Sequence, residues 1–544
     1  MTQGEPWWQR ATGYQIWPRS FQDSDGDGIG DIPGIIRRLD HIEALGAGFV
    51  WLSPVFASPQ ADMGYDIADY RAIAPEYGTM ADMDRLIAEA GARGIRIVMD
   101  LVVNHSSDRH AWFQAARASR DAPTRDWYIW RDPAPDGGPP NAMQSVFGGP
   151  AWQWDEMAGQ YYFHHFAPEQ PDLDWTNPRL RAEVHDIMRF WLDRGIGGFR
   201  MDVIDLIGKD PDRGIVEGGP MLHPYLREMA DAVLRGRDVV TVGEAWSATP
   251  ETAPRFCETL SMVFQFAHVV QGWGEGGDKW AAGPRDLPGL KRVLFEWQAA
   301  LEGEGWNSLF WGNHDLPRAV SAYGSETHRV ASAKALATVL HLLKGTPFVF
   351  QGEEFGMTNA GFSRIEQYRD VETLNFHRIR TEGGMPEAAF LAAAARTSRD
   401  NSRTPVQWDA GPQAGFTTGT PWIGLGPNHR TVNAEADRAD PDGVFARYRA
   451  LADLRRASAV VRHGRTRPVD PDHPQVFAYA RAHPEGRIAV AANLSDDPCP
   501  WTPPEGAGFE GRPLFGRRAG FGADPEPMAP WEVVVLASGP AHRA

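Results

Sequence analysis

The sequence predicts an α/β protein built on a (β/α)8 TIM barrel, with an inserted subdomain after the third strand and a C-terminal antiparallel β domain. Short apolar runs alternate along the chain with segments of helical period. Four of those runs end in acid or amide side chains: DLVVNHSS, GFRMDVID, TVGEAW and WGNHD. Strands of a parallel sheet are buried on both faces and therefore apolar, and in a β/α barrel their carboxyl ends carry the functional residues.

Eight apolar runs are the candidate barrel strands, because each is short and rich in β-branched or aromatic residues. In chain order they are GYQIWPRSF at 13–21, AGFVWLSPVF at 47–56, IRIVMDLVV at 95–103, GFRMDV at 198–203, VVTVGEAW at 239–246, LSMVFQFAH at 260–268, NSLFWGNHD at 307–315 and TPFVFQGEEFG at 346–356. The segments 80–94, 181–195, 287–301 and 331–345 have helical periodicity. This alternation is the pattern of βαβ units in a parallel sheet.

Two regions depart from the alternation. Residues 105–177 are rich in Trp, Tyr, Pro and Gly and are too long for an ordinary loop, so we expect an inserted subdomain there. After residue 460 the helical pattern gives way to alternating segments such as QVFAYARA and EVVVLAS, which predict a C-terminal β-sandwich domain over 461–544. The barrel is then expected to comprise 1–104 and 178–460.

Composition narrows the class of protein. With 544 residues and 42% apolar residues, the chain is long enough for a large core. The net charge of -17 argues against a nucleic-acid partner and favours a neutral ligand. Cys257 and Cys499 are too few and too distant in sequence for a disulfide framework.

The sequence also bears on location. The N-terminus lacks the features of a signal peptide, and no stretch is long enough to span a bilayer. We therefore expect a cytoplasmic protein without a membrane partner, although an exported protein expressed without its signal would look the same. The oligomeric state is open, with a monomer slightly favoured.

Asp202, Glu244 and Asp315 stand at or just past the ends of the predicted fourth, fifth and seventh strands, so a closed barrel brings them to one mouth. Retaining glycoside hydrolysis needs an ionised carboxylate as nucleophile and a protonated one as acid, about 5 Å apart. Arg200 shares a strand face with Asp202 and is expected to lower its pKa, and Trp246 to shield Glu244 from water. Taken singly, each acid is equally well explained as a helix cap.

Together, DLVVNH, GFRMDVID, VGEAW and GNHD resemble the signature regions of glycoside hydrolase family 13, the α-amylase family, and QPDLD at 170–174 resembles its fifth. The most similar branch is that of the oligo-1,6-glucosidases and dextran glucosidases (glucan 1,6-α-glucosidases). The resemblance implies that Asp202 is the nucleophile, Glu244 the general acid/base and Asp315 a stabiliser of the transition state.

The resemblance also implies contacts to the sugar. ADMGYDIADY is similar to the segment that closes the pocket, and SRDNSRTPVQWD supplies an arginine that pairs with its acid. The implied substrate-binding residues are Asp62, Tyr65, His105, Phe147, Phe166, Arg200, Val203, Trp246, His314 and Arg399. Without the resemblance, a lone histidine is more often a core residue, and core packing explains the phenylalanines almost as well as a role in the site. Arg399 would then most often be a solvated surface charge.

Two residues bear on the linkage that is cut. Val203 resembles the residue of 1,6-specific members, where 1,4-specific ones tend to have Thr or Ala, and an isopropyl group cannot hydrogen-bond a 1,4-linked sugar. Trp246 is similar to the Trp of dextran glucosidases. The expectation is an exo-acting retaining α-glucosidase that releases glucose from the non-reducing ends of α-1,6-linked glucooligosaccharides, such as isomaltooligosaccharides and dextran ends.

Two alternatives stay open. One is an α-1,4-glucosidase of the same family, acting on maltose or sucrose with transglycosylation. The other is a non-enzymatic, amylase-like ancillary subunit of an amino-acid transporter. The intact Asp202, Glu244 and Asp315 and the absence of a membrane helix in the sequence argue against the second.

Near the start, DSDGDGIGD has the ligand spacing of a calcium-binding EF-hand loop, with Gly28 at the sharp turn. The predicted ligands are Asp23, Asp25, Asp27, the carbonyl of Ile29, and Asp31. Gly34 stands where an EF-hand has its bidentate Glu, so a sensor domain is not expected. The resemblance implies one structural Ca²⁺ or Mg²⁺ and no organic cofactor, and the alternative is an acidic turn without a metal.

Overall fold

An eight-stranded parallel barrel forms the centre of the computed structural model, which describes residues 4–516 and 526–539. Its strands are β1 (Gly13–Ile16), β2 (Phe49–Leu52), β3 (Arg96–Leu101), β4 (Gly198–Met201), β5 (Val240–Glu244), β6 (Met262–Phe264), β7 (Ser308–Leu309) and β8 (Thr346–Phe350). They are paired in the order β6-β5-β4-β3-β2-β1-β8-β7. A parallel bridge between Val263 and Asn307 joins the two ends of this order. The predicted barrel is confirmed.

Side chains of the barrel strands alternate between the interior and the surrounding helices, as the period of a strand requires. In β2, Phe49 and Trp51 pack inside the barrel, whereas Val50 and Leu52 belong to the core under the helices. Gly13 of β1 leaves room for this filling, because a Cβ there would lie 2.5 Å from the Phe49 ring. Apolar rings thus fill the amino-terminal end of the barrel, and polar residues are left for the other end.

Helices cover the outside of the barrel, and the four predicted segments are all helical. Up to β8 the α-helices outside the insertion are Trp7–Arg10, Ile32–Arg37, Leu39–Leu45, Met80–Ala92, Pro178–Asp193, Leu222–Met229, Ala253–Cys257, Leu287–Ala300, Ala319–Tyr323 and Arg329–His341. Their starts follow ordinary capping chemistry: Thr79 and Asp82 form a capping box, and Asn177 caps a helix whose first residue is proline. None of the helices in the described part of the chain is long and apolar enough to cross a bilayer.

The chain between β3 and β4 leaves the barrel and folds over one side of its mouth. It contains the helix Ala111–Ala118 and a three-stranded antiparallel sheet whose central strand, Gln160–Phe163, pairs with Trp130–Arg131 and Trp152–Asp155. A bridge between His105 and Asp172 ties its start to its end. A smaller ladder of Phe56–Ala57 and Asp69–Ile73 follows β2.

A second long segment with helices of its own follows β8, and the sequence pattern did not predict these helices. Its helices are Val371–Glu382, Glu387–Thr397, Asp400–Arg403, Ala434–Ala439, Val444–Ala457 and Ala459–His463. Where β8 ends, Glu353 is buried and accepts a hydrogen bond of 2.6 Å from the hydroxyl of Tyr448. Burial raises the pKa of Glu353 to about 8.

The C-terminal region is a five-stranded antiparallel sheet of β9 (Arg465–Val469), β10 (Val476–His483), β11 (Gly486–Asn493), β12 (Arg512–Phe515) and β13 (Val533–Ser538). One face packs on the barrel helices, where the hydroxyl of Tyr479 donates to the carbonyl of Val339 at 2.8 Å. The other face is covered by irregular chain that contributes Trp501 and Met528. The predicted C-terminal antiparallel domain is confirmed, while its boundary at 461, which falls within the helix Ala459–His463, stays a prediction.

Candidate active site

A cavity of about 1260 Å³ opens at the carboxyl ends of the barrel strands. The predicted residues that line it are Asp62, Tyr65, His105, Phe147, Phe166, Asp202, Val203, Glu244, Trp246, Asp315 and Arg399. Arg200 and His314 lie behind its wall, each at most 1% exposed. The structure therefore brings together all of the predicted catalytic and sugar-binding residues.

Arg200 is the centre of the cavity floor. Its Nη1 lies 2.8 Å from Asp202 Oδ1 and 2.8 Å from Asp100 Oδ1, and its Nη2 donates to Glu244 Oε2. Arg200 and Asp202 face the same way because they are two residues apart on and just after β4. One guanidinium is thus shared among three buried carboxylates.

The pKa of Asp202 depends on more than Arg200. Burial raises the pKa of Asp202 well above its usual range, and repulsion from Glu244 and Asp100 adds to the effect, so the lowering by Arg200 that was expected is outweighed. The opposing attraction of Arg200 is divided among three acids. The carboxyl of Asp202 therefore keeps its proton to a higher pH than a solvent-exposed aspartate would.

Glu244 is oriented by three donors. Its Oε2 accepts from Arg200 and from the amide of Val203 at 3.0 Å, and its Oε1 accepts from the indole of Trp246 at 3.1 Å. Val203 makes this contact with φ at +34°, a left-handed backbone that is rare for a β-branched residue. Trp246 is held in turn by stacking on Phe266, with ring centroids 3.8 Å apart.

Asp315 lies between two arginines and a histidine. Arg403 Nη2 and Arg399 Nη1 are 2.9 and 3.3 Å from its Oδ1, and His314 Nε2 is 3.2 Å from its Oδ2. Burial alone would raise the pKa of Asp315, but His314 and the two arginines hold it below its usual range. Asp315 is therefore ionised.

Arg399 closes one end of the cavity. Its Nη2 lies 3.0 Å from Asp62 Oδ1 and 2.6 Å from Asp370 Oδ1, and its guanidinium carbon lies 4.8 Å from the centre of the Phe147 ring. Asp62 and Arg399 are 5% and 7% exposed, so the alternative of a solvated surface charge does not describe this arginine. The contact with Asp62 is the one that the resemblance implies.

The two histidines are buried and neutral. Burial lowers the pKa of His105 to about 4 and that of His314 well below its usual range. His314 stacks on Tyr65 with ring centroids 5.1 Å apart, so only one face of Tyr65 is left for a sugar. His105 Nε2 lies 3.0 Å from the Tyr65 carbonyl, and a sugar contact would have to share or replace that hydrogen bond.

Phe147 and Phe166 combine the two roles weighed from the sequence. Their ring centroids are 5.5 Å apart, and Phe166 also lies 5.2 Å from His105. Phe147 is buried and Phe166 half-buried, yet both line the cavity. They pack against each other and form one wall.

With this geometry established, the comparisons with known proteins identify the family. Residues 15–464 match the family model described as the alpha amylase catalytic domain. The chain belongs to the alpha-amylase family.

Members of the family resemble the chain over nearly its whole length. It is 49% identical to a glucan 1,6-alpha-glucosidase of Streptococcus pneumoniae over 91% of this chain and 92% of that protein. It is 48% identical to an oligo-1,6-glucosidase of Halalkalibacterium halodurans, with 91% and 92% covered. The crystal structure of trehalose-6-phosphate hydrolase from Bacillus licheniformis superposes with a TM-score of 0.92 at 42% identity, covering 98% of this chain and 100% of that one. The predicted family and branch are confirmed.

Sequence reasoning missed four polar residues that hold the carboxylates and arginines of the site in place. Asp100 accepts hydrogen bonds from Tyr65 at 3.0 Å and Trp51 at 3.1 Å, in addition to Arg200. An acid inside the apolar run of β3 was a usable signal, because a buried charge has to be paired. The other three are Gln170, Asp370 and Arg403. Gln170 donates a hydrogen bond to Asp62, Asp370 pairs with Arg399, and Arg403 pairs with Asp315.

The acidic loop at 23–31 brings together only part of the predicted ligand set. Carboxylate oxygens of Asp23, Asp25 and Asp27 lie within 4.8 Å of one another, and such a group can hold a metal ion. Asp31 is not in the group: its Oδ1 accepts from the amide of Gly34 and caps the helix Ile32–Arg37, and its Oδ2 accepts from Ser24. Ile29 donates its amide to Asp27 at 2.7 Å.

Proposed function

We propose that the protein is an exo-acting retaining α-glucosidase that releases glucose from the non-reducing ends of α-1,6-linked glucooligosaccharides. The observation that carries the proposal is the buried pair of Asp202 and Glu244, whose carboxylates both contact Arg200 at the mouth of the barrel. The two relatives named for 1,6-linked substrates, at 49% and 48% identity, support the linkage.

The reaction would proceed by double displacement. Asp202 attacks the anomeric carbon while Glu244 donates a proton to the leaving glycosidic oxygen, which gives a glycosyl-enzyme and a shortened sugar. Water then attacks the anomeric carbon, Glu244 takes its proton, and Asp202 leaves. Arg200 contacts both carboxylates and therefore stabilises whichever of them is ionised at each step.

Exo-action follows from the closed end of the cavity. The buried pair of Asp62 and Arg399 leaves no passage for a chain to continue beyond the terminal sugar. Asp315, held ionised by its positive neighbours, is suited to accept hydrogen bonds from the hydroxyls of that sugar. Neutral Tyr65, Phe147 and Phe166 supply apolar surface for its ring.

Val203 supports α-1,6 over α-1,4 cleavage. It lines the cavity directly beside the nucleophile and presents only an isopropyl group there. Lys279 and Arg380 of the cavity wall are already paired with Glu372 and Asp278, so neither is free to bind a phosphorylated second sugar.

The test is the initial rate of glucose release from isomaltose, isomaltotriose, maltose, sucrose and trehalose 6-phosphate, with Glu244→Gln as the control. Fastest release from the two 1,6-linked sugars is the expected result. A preference for maltose or sucrose would move the protein to the α-1,4 alternative. No release from any of the five, equal to that of the control, would favour the non-enzymatic ancillary subunit.

We also propose a structural Ca²⁺, or Mg²⁺, in the loop of Asp23, Asp25 and Asp27, with the Ile29 carbonyl as a further ligand. Carboxylate and carbonyl oxygens are the ligands that these hard cations prefer. The carboxylates of Asp25 and Asp27 are exposed and close together without a cationic side chain between them in the described contacts. Bound there, the ion would hold the loop in place, remote from the carboxylates of the cavity.

A further inference from the structure

The cavity is larger than the proposed cleavage of a disaccharide needs. Its volume of about 1260 Å³ exceeds the roughly 300–1,000 Å³ of most small-molecule pockets. The catalytic carboxylates and the Asp62–Arg399 pair occupy its inner end. The outer part is lined by the loop between β6 and the helix Leu287–Ala300, including Val269 and Trp273.

Trp246 shows on which side of the scissile bond this loop lies. Its indole donates to Oε1 of Glu244, the proposed acid, which has to face the leaving oxygen. Trp246 therefore stands on the leaving-group side, with Phe266 covering one ring face and 36% of the residue exposed. Trp273 is the next ring outward, with its centroid 6.3 Å from that of Trp246.

The loop that carries Trp273 is fixed in place. The amide of Gly283 donates to the carbonyl of Gly272 at 2.7 Å, and Arg285 Nη1 donates to the carbonyls of Val269 and Gln271 at 3.1 and 3.3 Å. Nearer its tip, Asp278 is bound by Arg380 of the helix Val371–Glu382 at 2.7 Å. A ring presented on a braced loop loses little conformational entropy when it binds a ligand.

We propose that Trp273 is the platform for a third glucosyl residue, the second one on the reducing side of the scissile bond. The inference rests on the proposed function and adds a preference for chains of three or more units. An aromatic face suits the apolar C–H face of a sugar. Gln271 and Glu275, two residues to either side of Trp273, also line the cavity and offer acceptors for sugar hydroxyls. Glu275 would repel a phosphorylated chain, so the occupant is a neutral glucosyl unit.

The test compares kcat/KM for isomaltose, which ends at the first leaving-group unit, with that for isomaltotriose, which reaches Trp273. In the wild-type protein the ratio should favour isomaltotriose by about two- to tenfold. Trp273→Ala should bring the ratio close to one, while isomaltose itself changes by less than twofold. Trp273→Phe, which keeps an aromatic face, should retain most of the preference.

Trp154→Ala is the matched control, because Trp154 is a half-exposed tryptophan on the strand Trp152–Asp155 and does not line the cavity. Its ratio should equal that of the wild type. An unchanged ratio in Trp273→Ala, or an equal loss on both sugars in a variant that melts like the wild type, would overturn the inference. Failure of the proposed function looks different: the wild type would release no glucose from isomaltose, and the inference would fall with it.

Discussion

Glu353 makes a measurable prediction about stability, because its carboxyl is buried beside β8 without a cation bound to it. Burial raises the pKa of Glu353 to about 8. Repulsion from Glu354 also raises this pKa, whereas the hydrogen bond from Tyr448 lowers it. In the unfolded chain a glutamate titrates near pH 4.3. Between these values the native state holds a proton that the unfolded state has released, so the free energy of unfolding falls as the pH rises.

The magnitude follows from the same two values. Each pH unit in that interval lowers the free energy of unfolding by about 1.4 kcal/mol, which gives about 4 kcal/mol between pH 5 and pH 8. Glu353→Gln removes the ionisation and keeps an oxygen for the hydroxyl of Tyr448, which lies 2.6 Å from Oε1. The variant should therefore be more stable than the wild type at pH 8 and close to it at pH 5.

Urea unfolding of both proteins at pH 5, 6, 7 and 8 measures this difference. The contribution of other titrating groups cancels when the variant is compared with the wild type at each pH. Glu156→Gln, at an exposed position, is the control and should follow the wild type throughout. If the difference between Glu353→Gln and the wild type changes by less than about 1 kcal/mol from pH 5 to pH 8, the reasoning from burial is refuted.

Three further predictions concern the site and the metal loop. Glu244→Gln removes the proton donor and should lower kcat on isomaltose by about 10²–10⁴-fold with an unchanged melting temperature; a loss below tenfold would contradict its role. Val203→Thr adds a hydroxyl beside Asp202 and should raise the ratio of kcat/KM for maltose to that for isomaltose by about tenfold. An unchanged ratio would show that Val203 does not determine the linkage. A chelator should lower the melting temperature of the wild type, and it should lower that of Asp25→Asn by less. If the chelator leaves the melting temperature of both proteins unchanged, the loop holds no structural metal.

The barrel could be predicted because each strand is an apolar run that ends in polar residues. The same signal placed Asp202, Glu244 and Asp315 at one mouth, since the carboxyl ends of parallel strands meet. Arg399 needed the resemblance: it lies on the excursion after β8, and nothing in the local sequence marks its buried partner Asp370. Arg403 follows Arg399 by one helical turn, so its presence at the same site was foreseeable.

Two local sequence patterns have more than one physical outcome. The spacing of Arg200 and Asp202 predicts their contact correctly, but not that Asp100 and Glu244 compete for the same guanidinium. The spacing of Asp31 fits a metal loop, yet an aspartate just before Ile-Pro is also a helix start, and capping is what the structure shows. The left-handed backbone of Val203 could not be predicted from the sequence, because β-branched residues disfavour that conformation.

The single guanidinium of Arg200 has a consequence for inhibitor design. With Asp100, Asp202 and Glu244 around it, one guanidinium faces three carboxyl groups on the floor of the cavity. A sugar analogue with a basic nitrogen at the anomeric position would supply the missing positive charge and bind more tightly than its neutral counterpart. Calorimetric titration should show its affinity rising with pH as Asp202, whose pKa is raised by burial, ionises, and falling again only when the amine itself loses its proton.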